Sequence, residues 1–128
     1  VFKITFMKYF KRQREQDLLI WKTSTHRKPL LVRGARQVGK TALIRTFSKQ
    51  FNYYIEINFE QDKNAHRIFE GKTLDPSTLC EQISALYGIP IIPGQTLLFF
   101  DEVQSCLPAI SSLRYFYEKS PDLHLIAA

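Results

Sequence analysis

The sequence predicts an α/β domain with a mostly parallel sheet, and three observations support this. Short apolar or β-rich runs alternate with segments whose apolar residues recur at helical spacing. A glycine-containing stretch at 34–41 joins one such run to one such helix. A later apolar run at 97–100 ends in two adjacent carboxylates, Asp101 and Glu102. Because parallel strands present their carboxyl ends at one edge, we expect both polar features to meet there.

The first half of the chain supplies two strands and three helices. Residues 7–22 are predicted as a helix with an imperfect apolar face, ended by the polar stretch 23–26. The apolar residues 29–32 form a strand, and apolar residues at helical spacing continue from Thr41 to about Phe51. Alternation then predicts a strand at 53–59, followed by a helix over 60–70.

The second half supplies two helices and two strands. Proline near the first helical position predicts a helix that opens at Asp75-Pro76, and Gly88 closes it. The residues that follow, to Gly94, contain two prolines and are predicted as a loop before the strand 97–102. A helix over 107–118 and a strand over 122–127 complete the pattern, which contains no internal repeat.

Residues 34–41 match G-x-x-x-x-G-K-[ST], the phosphate-binding P-loop, and the strand before and helix after them are the context that the motif needs. Glycines let backbone N–H groups converge on phosphate oxygens, and the helix directs its positive end at the same anion. Lys40 would bind the outer phosphates, and the Thr41 hydroxyl would bind Mg²⁺. The predicted phosphate-binding residues are Gly34, Ala35, Arg36, Gln37, Val38, Gly39, Lys40 and Thr41.

Asp101 and Glu102 fit the second half of such a site, a Walker B strand. The apolar run buries the strand and places both carboxylates at its carboxyl end, opposite the glycine loop. Asp101 is the predicted Mg²⁺ ligand, together with Thr41. Glu102 is the predicted catalytic base that orients and deprotonates the attacking water, and Lys40 is the second predicted catalytic residue. Gln104 stands where GTPases place a glycine, and no N-K-x-D motif for guanine occurs.

Four segments together resemble the AAA-type ATPase domain of a prokaryotic family of ATP-binding proteins that carry a C-terminal domain of unknown function. They are R-G-A-R-Q-V-G-K-T at 33–41, E-I-N-F-E at 56–60, L-F-F-D-E-V-Q at 98–104 and S-L-R-Y-F-Y-E at 112–118. The resemblance implies a three-layer P-loop NTPase fold of the additional-strand, catalytic-glutamate type, with the strand 122–127 between those of the P-loop and Walker B. It also implies ATP as the nucleotide and Mg²⁺ as the metal.

In that family the chain continues into a sensor residue, further strands and the C-terminal domain. The resemblance therefore implies that residues 1–128 are an N-terminal fragment that ends before the sensor. We expect residues 1–28 to be an N-terminal basic helix and linker, with 1–6 as an extension, and residues 29–128 to be the incomplete ATPase core. Without the missing strand, the outer side of the strand 29–33 is predicted to be open, which would make the fragment poorly soluble.

Charge is distributed unevenly along the 128 residues, whose formal net charge is +6. Residues 1–50 carry thirteen lysines and arginines against only Glu15 and Asp17, whereas residues 51–128 carry five against ten carboxylates. The basic segment 8–28 is interpreted as a solvated helix face. The open alternative is contact with nucleic acid or an acidic partner, which neutralising Lys11, Arg12 and Arg14 would weaken.

Cysteine usage and hydropathy suggest a cytoplasmic protein. Cys80 and Cys106 lie far apart without a C-x-x-C motif, so both are predicted to be reduced, buried thiols. The sequence has no run of eighteen apolar residues, and its apolar opening is too short for a signal peptide. Membrane contact is therefore not expected, whereas a homo-oligomer stays possible.

Several other polar residues are weighed as candidates. Arg36 is expected to be an exposed loop residue, and Arg114 is expected to pair with Glu118 and not to act as an arginine finger. Gln104 is expected to make a loop contact, with a role in placing water as the alternative.

The histidines and the aromatic run are given structural roles. His26 and His66 are expected on the surface and His124 within a strand, while residues 115–117 pack their helix onto the sheet.

The predicted activity is ATP binding and Mg²⁺-dependent hydrolysis. Two alternatives stay open. One is a nucleotide-gated binding module with little hydrolysis, and the other is a nucleic-acid-dependent ATPase.

Overall fold

The computed structural model describes residues 2–5, 11–25, 27–33 and 39–128. Its strands are β1 (Phe2–Thr5), β2 (Leu30–Arg33), β3 (Tyr53–Asn58), β4 (Thr96–Asp101) and β5 (His124–Ala127). Its helices are α1 (Lys11–Thr23), α2 (Lys40–Phe47), α3 (Lys63–Phe69), α4 (Pro76–Tyr87) and α5 (Leu107–Lys119). Short 3₁₀ turns follow α2 at Ser48–Gln50 and β4 at Val103–Ser105. Residues 7–10 of the predicted first helix lie outside the described residues.

All five strands pair in parallel, in the order β1-β2-β5-β4-β3. Leu30 pairs with Ile126, and Leu97 pairs with His124, so β5 lies between β2 and β4 as the resemblance implied. At the other side Asn58 pairs with Asp101. The predicted α/β class with a parallel sheet is confirmed.

The prediction that the outer side of the strand at 29–33 is open is wrong. β1 pairs with β2 along its whole length, from Phe2 opposite Leu30 to Thr5 opposite Arg33. Residues 2–5, which were predicted to be part of an extension, therefore form a strand of the sheet. The open edge at β2 from which poor solubility was predicted is covered by this strand. The alternation of Phe2, Ile4 and Phe6 with Lys3 and Thr5 is a strand signal, but so short a pattern does not indicate which strand it pairs with.

Two apolar clusters make the three layers. On one face, α1 and α2 bury a cluster against β2, β4 and β5 that includes Leu18, Trp21, Ile44 and Phe99. On the other face, α3, α4 and α5 cover a larger cluster. At its centre the ring of Phe100 contacts those of Phe59, Phe69 and Phe116 at centroid distances of 5.4, 5.5 and 6.0 Å. The helices that frame the carboxyl edge are thus fixed to the sheet on both faces.

Two helix boundaries differ from the sequence expectation for identifiable reasons. The expected helix at 60–70 begins only at Lys63, because the side chain of Asn58 accepts the N–H groups of Glu60 and Gln61 in a turn. Asp62 then caps α3 by accepting from Asn64 and Ala65.

The other boundary is the end of α2. This helix stops at Phe47, and not near Phe51, because the chain tightens into a 3₁₀ turn. In that turn the N–H of Phe51 bonds to the carbonyl of Ser48 at 3.0 Å.

His124 connects the start of β5 to the end of α1. It is 4% exposed, its Nε2 donates to the carbonyl of Lys22 at 2.8 Å, and the Trp21 and Phe51 rings lie at 5.3 and 4.9 Å. Its buried Nδ1 has no hydrogen-bond partner among the described residues. Burial lowers the pKa of His124 to about 4, and the positive charges of Arg27 and Lys22 act in the same direction.

We predict that this histidine destabilises the fold under acid. The pKa of His124 in the fold lies below the ordinary value of 6.5. The stabilisation of the fold by the neutral ring is therefore fully present above pH 6.5 and is lost as the pH falls towards 4. The loss amounts to at most about 3 kcal/mol in the free energy of unfolding. Urea unfolding between pH 7 and pH 4 measures it. His124→Leu should remove the part of the pH dependence of the free energy of unfolding that comes from His124 and leave the part that comes from the carboxylates. An unchanged pH dependence in this variant would contradict the role given to His124.

Candidate functional site

The carboxyl ends of β2 and β4 open on the same edge of the sheet, with β5 between them. α2 begins there at Lys40, directly after Gly39. Gly39 has φ 134°, a conformation that side chains disfavour, and a Cβ built on it meets no atom of the described residues within 4 Å. The backbone conformation therefore accounts for this glycine. Residues 34–38 of the glycine loop, including Arg36, lie outside the described residues.

Lys40 and Thr41 occupy the first turn of α2 and are half-buried. The first N–H groups of any helix have no partner within it, so this turn also presents backbone donors at the sheet edge. The first backbone hydrogen bond of the helical pattern runs from the N–H of Leu43 to the carbonyl of Gly39, at 2.7 Å. The predicted phosphate ligands that the structure describes thus lie at the predicted edge.

Asp101 ends β4 as a buried carboxylate, 8% exposed, whose Oδ1 accepts the N–H of Glu102 at 2.9 Å. Burial raises the pKa of Asp101 above its ordinary value, and the charges of Glu102 and Glu56 add to the rise. The hydrogen bond from Glu102 and the positive charge of Lys40 act against it. The lysine and the carboxylate, 61 positions apart in sequence, are therefore within electrostatic reach across the edge of the sheet.

Comparison with known proteins agrees with this geometry. A family model described as an AAA domain matches residues 26–128, which is most of the chain. The chain belongs to the AAA domain family. Its family suggests nucleotide binding of the ATPase type. Searches of curated proteins and of solved structures found no match.

Glu102 of the AAA domain follows β4 in an unusual backbone conformation. Its φ of 53° makes it the only non-glycine residue with positive φ in the part of the chain that the structure describes. Hydrogen bonds of its neighbours fix this turn, since Val103 donates to the carbonyl of Ala128 at 3.0 Å and Ala128 donates to that of Phe100 at 2.9 Å. Such strain costs about 1–3 kcal/mol and concentrates at functional sites.

Gln104 contacts the side chain of Glu102 directly. Its Nε2 donates to Oε2 of Glu102 at 2.5 Å, while both residues stay accessible at the edge of the AAA domain. The predicted loop contact of Gln104 is therefore present, and its partner is the predicted base. A hydrogen bond from an amide to a carboxylate fixes the orientation of that carboxylate and occupies one of its oxygens.

A second polar network beside Asp101 was missed by sequence reasoning. Arg45 on α2 holds Glu56 on β3 with two hydrogen bonds of 2.9 and 2.7 Å, and the hydroxyl of Tyr54 donates to Glu56 at 2.7 Å. The bonds from Arg45 hold the pKa of Glu56 below its usual value. The network joins the helix of the phosphate loop to the strand next to Asp101. The only sequence signal was Tyr54 and Glu56 on the face of β3 shared with Asn58.

The donor set of the AAA domain fits Mg²⁺ better than a metal held by protein alone. No group of three or more His, Cys, Asp or Glu side chains that could hold an ion occurs among the residues described. Mg²⁺ usually takes one or two protein oxygens and completes its shell with water and phosphate oxygens. The buried carboxylate of Asp101 and the Thr41 hydroxyl at the same edge suit that requirement.

Other predicted roles have mixed outcomes. Arg114 pairs with Glu118 at 3.1 Å as expected. The prediction that His66 lies on the surface is wrong. His66 is half-buried, and its Nε2 contacts the carbonyl of Phe59 at 2.5 Å. The two groups meet because the turn at 58–61 brings α3 back onto the sheet. His26 lies outside the described residues.

The aromatic run and the cysteines complete the comparison. Of residues 115–117, only Phe116 is fully buried, and Tyr117 is 39% exposed because its position on α5 faces away from the sheet. Cys106 is buried as predicted, Cys80 is half-buried, and both are free thiols. No described helix has the length and apolar character needed to cross a bilayer.

Proposed function

We propose that this AAA domain binds ATP with Mg²⁺ at the carboxyl edge of β2, β5 and β4 and hydrolyses it. The observation that carries the proposal is that Lys40 and the buried carboxylate of Asp101 lie at the same edge of the sheet. Lys40 begins α2 after β2 and Asp101 ends β4, with β5 between the two strands, and the positive charge of Lys40 acts on Asp101 across this edge. A basic and a buried acidic group at one helix N-terminus are what a triphosphate and its metal require.

Each predicted site residue has a stated task in this proposal. Backbone N–H groups of 35–41 and the Lys40 ammonium bind the phosphates, and Lys40 neutralises charge that develops in the reaction. Thr41 and Asp101 would hold Mg²⁺, which supplies further neutralisation of the phosphate oxygens when bound. Glu102 orients the attacking water and accepts its proton. Catalysis is then positioning and charge stabilisation, with no covalent intermediate on the protein.

The alternative of a nucleotide-gated module with little hydrolysis is favoured by one contact, the hydrogen bond from Gln104 to Glu102. While it persists, one oxygen of the proposed base is occupied, and turnover would wait for its release. Phosphate release measured against the fraction of nucleotide bound separates the two functions. Full occupancy with little phosphate released by the parent, and faster release by the Gln104→Ala variant, would support the gated module, whereas equally fast release by both would support the hydrolase.

We also propose the finer placement that the sequence suggested. The segment 29–128 would be the ATPase core of a prokaryotic protein of the resembling family, preceded by the basic segment 1–28. A reducing, cytoplasmic setting is supported by the two free thiols. Mass spectrometry after alkylation of the freshly isolated, denatured protein would test this, because both reduced cysteines should then be modified.

A further inference from the structure

The amino-terminal edge of the sheet, opposite Lys40 and Asp101, carries three lysines. Lys28 lies just before β2, and Lys49 lies in the turn that leads into β3. Lys22 lies in the last turn of α1, where its carbonyl accepts the hydrogen bond of His124 at the start of β5. Because all strands are parallel, these positions share one edge. The starts of β2 and β3 are three strand spacings apart, roughly 14 Å.

These lysines keep their charge uncompensated. None of the three forms an ion pair with a carboxylate of a described residue. Among the acidic residues nearby, Glu118 pairs with Arg114 and Asp75 pairs with Lys119. Asp122 has no ion pair among the described residues, and the charge of Arg27 beside it offsets its own. The surface therefore has a local excess of three positive charges, a pattern that attracts a polyanion.

Two aromatic rings accompany the lysines. The ammonium of Lys22 lies 5.2 Å from the ring centre of Phe51, and that of Lys28 lies 5.1 Å from the ring centre of Tyr117. Tyr117 is 39% exposed, although it stands on a helix whose other aromatic residues contact the protein. It lines an open cavity of about 430 Å³ together with Thr25, Arg27, Glu118 and Pro121. This volume lies within the usual range for small-molecule sites and admits a flat ring.

We propose that this surface, which we call the basic edge and define as Lys22, Lys28, Lys49, Phe51 and Tyr117, binds single-stranded nucleic acid. The lysines contact successive phosphates, and Tyr117 stacks on a base that enters the cavity. Lysines combined with accessible rings characterise surfaces that bind single strands without sequence preference. An acidic protein segment would be attracted by the lysines but would gain nothing from stacking on Tyr117.

The basic edge is separate from the proposed nucleotide site, because the two lie at opposite ends of the same parallel strands. It shares Lys22 and Lys28 with the segment 8–28 considered from sequence and adds Lys49, Phe51 and Tyr117, which are distant from that segment in the chain. Binding at the basic edge would link ATP turnover to a nucleic acid only if the proposed function is correct. The binding itself is measured without ATP, so the two proposals fail independently.

The test uses the full chain and a fluorescein-labelled oligothymidine of about fifteen nucleotides, with anisotropy measured between 50 and 200 mM salt. Three phosphate contacts on a single strand predict a slope of log K against log salt of about −2. The variant K22A/K28A/K49A should lose that slope and most of the binding. Tyr117→Ala should weaken binding by about 5- to 100-fold, with Tyr117→Phe close to the parent.

A matched variant, K63A/R67A/K72A, removes the same charge from exposed residues in and after α3. It should bind the oligonucleotide within about threefold of the parent, and so should Lys40→Ala. Equal losses in both triple variants, or no salt-dependent binding by the parent, would overturn the proposal. Displacement of the oligonucleotide by a polyglutamate peptide as effectively as by unlabelled strand would also overturn it, in favour of an acidic protein partner.

Discussion

Replacing Glu102 by glutamine should leave ATP binding within about twofold and lower the rate of phosphate release by at least a hundredfold. Glutamine has nearly the same shape, but its amide cannot accept the proton of the attacking water. A positioned base contributes about 10²–10⁴ to such rates. The side chain of Glu102 is half-buried, so water can reach its carboxylate at the open edge of the sheet.

The effect of Glu102→Gln is measured as single-turnover phosphate release at saturating nucleotide. Glu81→Gln, an exposed residue on α4, is the matched control and should behave as the parent. Gln104 contacts Glu102, so the double variant Glu102→Gln with Gln104→Ala is measured as well. It shows whether the loss of the Gln104 amide changes the rate of phosphate release when the base is already absent. A single variant with parental turnover would remove Glu102 from the mechanism.

Replacing Lys40 by alanine should weaken binding of an ATP analogue by at least about a hundredfold. The side chain supplies a point charge at the site of the outer phosphates, and its loss also leaves the buried carboxylate of Asp101 without its nearby cation. The pKa of Asp101, already raised by burial, should rise further once the positive charge of Lys40 is removed.

Lys49→Ala is the matched control for Lys40→Ala. It removes the same charge from the turn that follows α2, at the opposite edge of the sheet. Nucleotide affinity should stay within about twofold of the parent. If both variants bind the analogue equally well, the loop does not hold the phosphates and the proposed site is wrong.

The features predicted correctly from sequence are those carried by local pattern. Apolar runs gave β2, β4 and β5, and helical spacing with Gly88 at the end gave α4, whose last residue is followed by this glycine at φ 67°. The motif around Lys40 and the carboxylates after β4 predicted the site edge, because parallel strands leave little choice about where their carboxyl ends meet. The position of β5 between β2 and β4 came from family resemblance.

The features that sequence reasoning missed depend on contacts between distant residues. β1 pairs with β2 through backbone hydrogen bonds that any short extended segment can form. Arg45 and Glu56 meet only once α2 packs over β3, and neither belongs to a motif with an assigned role. The unusual conformation of Glu102 is imposed by the backbone of Ala128. By contrast, the late start of α3 had a signal, because Asn58 and Asp62 are both turn and cap residues.

The measurement that tests the proposed ATP site most directly is hydrogen–deuterium exchange with and without a non-hydrolysable ATP analogue and Mg²⁺. The N–H groups at the start of α2 have no partner within the helix, so they should exchange quickly in the free protein and slowly when phosphates bind them. We expect protection in peptides covering 39–44 and 100–103, none at 22–28, and no protection anywhere in the Lys40→Ala variant. Protection confined to 22–28 and 48–51, or none in the parent at saturating analogue, would contradict nucleotide binding at the carboxyl edge.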